Sequence, residues 1–168
     1  MNILIKKDHN YRSNHFLNRF TIGYKWSEAY TVKFDVSCQY HLTANETQVN
    51  KLVGVGHVHH HLNSIRVGWR WNYRIGLFEL VAYRYRNGRM DYAPLCNVPV
   101  NKEVDIIITY KYEKGSIVTV VYCSGSSVQF VWKTEHWYEK IPFLYECFPY
   151  FGGYMPAPND IRISIKRL

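Results

Sequence analysis

The chain has 168 residues, 47% of them hydrophobic, which is enough for one folded domain over residues 1–168 and too apolar for a disordered tail. Its formal charge of +8 points to polyanionic partners. The basic residues alternate with apolar ones instead of forming a compact run, which argues against a nucleic-acid-binding arm. No apolar stretch is long enough to span a membrane, and the N-terminal run Ile3-Leu4-Ile5 is too short for a signal peptide. The expected location is therefore the cytoplasm or a phage or viral particle.

Taken in order, residues 2–6 predict a short first strand and 8–15 a polar turn. Strands follow at 20–26 and 29–40. In the second, Tyr30, Val32, Phe34, Val36 and Cys38 share one face, and Thr31, Lys33, Asp35, Ser37 and Gln39 the other. That period of two marks a half-buried strand. Residues 41–50 read as a loop. Asn87-Gly88 is the strongest hairpin signal, and Lys114-Gly115 and Ser124-Gly125-Ser126 predict two more tight turns. The last strand, 160–168, places Ile161, Ile163 and Ile165 inward. No segment carries a helical apolar period. Some ten strands with short turns predict an all-β antiparallel sandwich.

Cys38, Cys96, Cys123 and Cys147 form no C-x-x-C pair and sit among apolar residues, so buried free thiols are expected before disulfides.

Residues 51–86 hold the chemistry-bearing side chains. On a strand over 64–73, Ile65, Val67, Trp69, Trp71 and Tyr73 share a core-like face. Ser64, Arg66, Gly68, Arg70 and Asn72 share a polar one, with a small gap at Gly68. In 77–86, Glu79, Val81, Tyr83 and Tyr85 fall on one face and Leu80, Ala82, Arg84 and Arg86 on the other. If the two polar faces coincide, Arg66, Arg70, Asn72 and Glu79 form a ligand-binding groove flanked by Tyr83 and Tyr85. Arginine forks grip carboxylates bidentately, and flat rings stack on sugars. The alternative is a solvated sheet face with cross-strand Arg–Glu pairs.

His57, His59 and His61 alternate and would share one strand face. Without an acidic residue in the run, a ligand-contacting cluster or a plain hairpin end is expected before a metal site. Neither a metal nor another cofactor is expected. No nucleophile elbow or phosphate-binding loop occurs.

The ending F-P-Y-F-G-G-Y-M-P-A-P-N-D-I-R-I-S-I (148–165) resembles the close of concanavalin A-like jelly rolls, particularly the polysaccharide-lyase type acting on alginate or glucuronan. N-S-I-R-V-G-W-R-W (63–71) and I-G-L-F-E-L-V-A-Y-R-Y-R-N-G (75–88) resemble the middle of such chains. The lyase motifs R-x-E-x-R and Q-I-H are absent. The resemblance implies a jelly-roll sandwich whose adjacent strands line a concave face.

The expected function is a carbohydrate-binding, lectin-like domain for a polar or anionic glycan. A lyase acting on a uronate polymer is the enzymatic alternative. There Arg66 or Arg70 would neutralise the uronate, His59 or His61 would abstract a proton, and Tyr83 or Tyr85 would protonate the leaving oxygen. A phage or viral structural or attachment protein, as a homo-oligomer or larger assembly, is the third reading.

Overall fold

The computed structural model describes residues 1–11, 20–41, 48–57, 62–152 and 155–168. Among them, twelve strands form two six-stranded antiparallel sheets. Sheet A comprises β1 (Asn2–Ile5), β3 (Lys25–Phe34), β8 (Glu103–Glu113), β9 (Ser116–Cys123), β10 (Ser126–Lys133) and β12 (Ile161–Arg167). Its order is β1-β12-β3-β8-β9-β10. Sheet B comprises β2 (Phe20–Ile22), β4 (Asn50–Gly56), β5 (Ser64–Asn72), β6 (Leu77–Arg86), β7 (Arg89–Val98) and β11 (Phe143–Cys147). Its order is β2-β11-β4-β5-β6-β7.

Alternation drives the sandwich. Ile161, Ile163 and Ile165 point inward from β12, and Tyr30, Val32 and Phe34 from β3. They meet Ile65, Val67 and Trp69 from β5 and Phe78 and Leu80 from β6. Phe34 bridges the sheets, stacked on Phe78 at 4.7 Å and tilted against Trp69 at 5.2 Å. Each such side chain contributes roughly 1.5–3 kcal/mol on burial.

The three tight turns are as expected. Asn87-Gly88, Lys114-Gly115 and Ser124-Gly125 all hold positive φ at both central residues, the hairpin geometry that matches strand twist. The strand expected over 20–26 instead divides at Gly23, where φ is 153° and the chain passes from sheet B to sheet A. The strand expected to run to residue 40 stops at Phe34. The Asp35 carboxylate accepts from the Ser37 amide at 2.9 Å and caps a turn of 3-10 helix, Val36–Cys38. That local bond competes with the ladder and leaves Val36 exposed.

The cysteine expectation is half corrected. Cys96 on β7 and Cys123 on β9 form a disulfide joining sheet B to sheet A, while Cys38 and Cys147 are free and buried. No helix among the described residues is long and apolar enough to cross a membrane.

Candidate functional site

Across the β5–β6 ladder, Ser64 opposes Tyr85, Arg66 opposes Tyr83, Gly68 opposes Val81 and Arg70 opposes Glu79. Directly opposed residues share a face. The two polar strips therefore coincide, on the side of sheet B turned away from sheet A. Neighbouring strands widen the surface. Gly54 of β4 opposes both Arg66 and Cys147 of β11, and Tyr92 of β7 opposes Tyr83.

Arg66 lies at the centre and is only 5% exposed. A Cβ on Gly54 would stand 2.5 Å from Arg66 Cα and 2.8 Å from its Cγ, so glycine is what lets the arginine stem lie across β4. The guanidinium reaches the Cys147 thiol, whose pKa is pushed up by burial. Its Nε and Nη2 are buried without a hydrogen-bond partner among the described residues. Those two nitrogens form one edge of the fork, the edge a carboxylate takes bidentately. A buried charge left unpaired costs about 3–5 kcal/mol, which an arriving anion would offset.

Lys51 stands beside it, 8% exposed. The β4–β5 register shifts between Lys51 and Val53, so Leu52 and Val53 both enter the core while Lys51 opposes Gly68 on the outer face. Its Nζ donates to the Gly152 carbonyl at 3.0 Å and sits 5.3 Å from the Tyr83 ring centre and 5.6 Å from that of Tyr150. Burial, then the positive charge of Arg66, pull the ammonium pKa down to about 8.

Gly152, the first glycine of the F-G-G sequence, therefore reaches into the site. Gly152 holds φ at 71°, donates its amide to Asn50 Oδ1 at 2.6 Å and presents its carbonyl to Lys51. A Cβ there would fall 2.1 Å from Gln48 Nε2 and 2.2 Å from the Met155 carbonyl. Tyr83 and Tyr85 meet edge to face at 5.4 Å. Tyr85 and Tyr150 are half-buried, and Tyr150 packs edge-on against the exposed Tyr11 at 5.0 Å.

Arg70, Asn72 and Glu79 lie on the expected face but bind one another. Arg70 Nε forms a very short ion pair with Glu79, and Asn72 donates to the same carboxylate at 2.8 Å. Burial works against the Glu79 charge, but the bonds from Asn72 and Arg70 outweigh it and hold its pKa below the usual range. This end of the face is internally neutralised, as the cross-strand alternative anticipated. The gap expected at Gly68 is filled, because a Cβ there would come within 2.3 Å of Val49 Cγ1. Val49, Val81 and Tyr83 make a small apolar saddle between the two polar ends.

His57 directly follows β4. It points into the sandwich, 2.9 Å from the Tyr110 hydroxyl, and burial lowers its pKa. His59 and His61 lie outside the described residues. Among the described residues no cluster of three or more His, Cys, Asp or Glu could hold a metal ion.

No family model matches the chain. No curated protein matches it. Solved structures do. An alginate lyase from a Chlorella virus superposes with a TM-score of 0.63 at 13% identity, covering 99% of this chain and 81% of that one. A functionally unknown protein from Saccharomyces cerevisiae gives 0.50 at 13% identity, covering 99% and 88%. The fold is an antiparallel jelly-roll β-sandwich. Within this jelly roll the outer face of sheet B carries two unlike ends, a cationic one at Arg66 and Lys51 and a self-paired one at Arg70 and Glu79.

Proposed function

We propose that this jelly roll binds a uronate-containing polysaccharide on the outer face of sheet B and cleaves it by β-elimination. The observation that carries the reading is the buried Arg66 guanidinium with its Nε–Nη2 edge unpaired among the described residues. A uronate carboxylate on that edge would be held bidentately, and neutralising it makes the C5 proton more acidic. Lys51, with its pKa near 8, can stand neutral at mildly alkaline pH and accept that proton. The C5–H electron pair becomes the C4–C5 double bond, the C4–O4 bond breaks, and the Tyr85 hydroxyl delivers its proton to O4. The superposition on a protein that is an alginate lyase supports the reading at the level of fold.

Binding without cleavage, the lectin-like reading, would use the same Arg66 edge and leave Lys51 and Tyr85 idle. One experiment separates them. Wild type, Tyr85→Phe and Arg66→Met proteins are incubated with a panel of polyuronates and mixed uronate glycans. Absorbance of unsaturated uronate and binding by calorimetry are both read. The lyase gives absorbance growth with wild type, binding without growth for Tyr85→Phe, and neither for Arg66→Met. Arg66-dependent binding with no absorbance growth anywhere leaves a lectin. No binding to any member overturns both readings.

A further inference from the structure

At the self-paired end of the face lies a depression of about 280 Å³, lined by Arg70, Glu79, Val81, Tyr92, Pro94 and Asn97. Val81 is also part of the apolar saddle beside Tyr83, so the depression continues the surface that begins at Arg66. Arg66 and Arg70 are four positions apart on β5. Strand geometry separates them by roughly 13 Å, further than one pyranose ring reaches, so the two ends would meet different residues of a bound chain.

The chemistry of the two ends is opposite. Arg66 offers a cationic edge that is unpaired among the described residues. Arg70 has its charge matched by Glu79, and Glu79 also accepts from Asn72. A sugar carboxylate entering the depression would face the Glu79 carboxylate with no unpaired cation among the described lining residues, and like charges brought together repel. A hydroxyl-bearing ring meets none of that penalty. Its O–H groups can donate to Glu79 and accept from Asn97, and the half-exposed ring of Tyr92 offers a flat apolar face, with the Arg70 guanidinium 6.0 Å from its centre.

We infer that this depression is a subsite for an uncharged sugar, so the preferred ligand is a glycan whose uronates are interrupted by neutral residues and not an unbroken polyuronate. The inference rests on the proposed uronate site at Arg66.

The test uses calorimetric binding to β-1,4-linked tetrasaccharides of one backbone geometry. One is tetraglucuronate. The others carry a single glucuronate and three uncharged glucose residues, with the glucuronate at either end. Wild type should bind one of the single-uronate probes at least about tenfold more tightly than tetraglucuronate. Glu79→Gln should bring the two within about threefold, mainly by improving tetraglucuronate. Asn97→Ala should weaken the single-uronate probe by more than it weakens tetraglucuronate, which keeps the test open if the Glu79 variant fails to fold. Tetraglucuronate bound as well as or better than the mixed probes, or a ratio untouched by either variant, overturns the inference. If that occurs while Arg66→Met still abolishes binding, the uronate site stands alone. If no probe binds wild type, both fall.

Discussion

Arg66 stands directly across the β5–β6 ladder from Tyr83, and both are almost wholly buried while one edge of the guanidinium has no partner among the described residues. Charge, burial and vacancy meet in one side chain. Ligand affinity and fold stability therefore pull in opposite directions at this position.

Arg66→Met should raise stability by about 1–3 kcal/mol in the absence of ligand, because it removes an unpaired buried charge while keeping the stem's packing. The same variant should lose anionic-glycan binding by about a hundredfold or more. Urea denaturation and calorimetry on the same preparation check both halves.

On the proposed lyase reading, Lys51 sets the pH dependence. A base must be deprotonated to accept a proton, so kcat/KM should rise with pH and level off above about 8, the pKa of the free protein. A bound uronate favours the ammonium, so the rise in kcat should sit at higher pH than that in kcat/KM. Lys51→Arg keeps the charge but not the titration, and should cut kcat about a hundredfold or more with the Kd nearly unchanged. The stability sign runs the other way from an ordinary ion pair. Because the folded pKa is depressed from 10.5 to about 8, stability should increase as pH climbs from about 8 toward 10.5, measured by urea titration at successive pH values.

Gly54→Ala should destabilise by about 1–3 kcal/mol, since its Cβ would meet the Ile65 carbonyl at 2.2 Å, a backbone atom that cannot swing aside. The residual folded protein should bind glycan poorly, because Arg66 can no longer lie across β4. Thermal melts and calorimetry test the two effects separately.

Breaking the Cys96–Cys123 bridge by Cys123→Ser should cost about 3.5 kcal/mol on the chain-entropy estimate for a loop of 27 residues. A reductant should lower the wild-type urea midpoint and leave that of the variant in place.

Much of this was legible in the residues. The alternation over 64–73 set Arg66 opposite to Trp69, and that over 77–86 set Glu79, Tyr83 and Tyr85 opposite to Leu80; the β5–β6 ladder is what makes the two polar faces one. The same alternation could not say that Arg70 faces Glu79 closely enough to be consumed by it, since pairing register is a tertiary property. Tyr150 was out of reach because an isolated bridge to Lys51, remote in sequence, brings it in. The Cys96–Cys123 bond likewise depends on how one sheet lies over the other. Lys51 was hidden for a different reason, as the register shift at Leu52 breaks the period on which the reading relied.

That irregularity makes the site depend on the parity of β4. Counted back from Gly54, strict alternation would point Leu52 outward and bury Lys51 among Phe34, Trp69 and their neighbours. The extra residue reverses the count. Deleting Leu52 would leave Lys51 outward opposite Gly68 and remove only a core side chain, whereas closing the bulge with Leu52 kept would put an ammonium in the core or slip the ladder from Asn50 onward. The direction in which Lys51 points is thus set by the count of residues in β4 and not by its own chemistry.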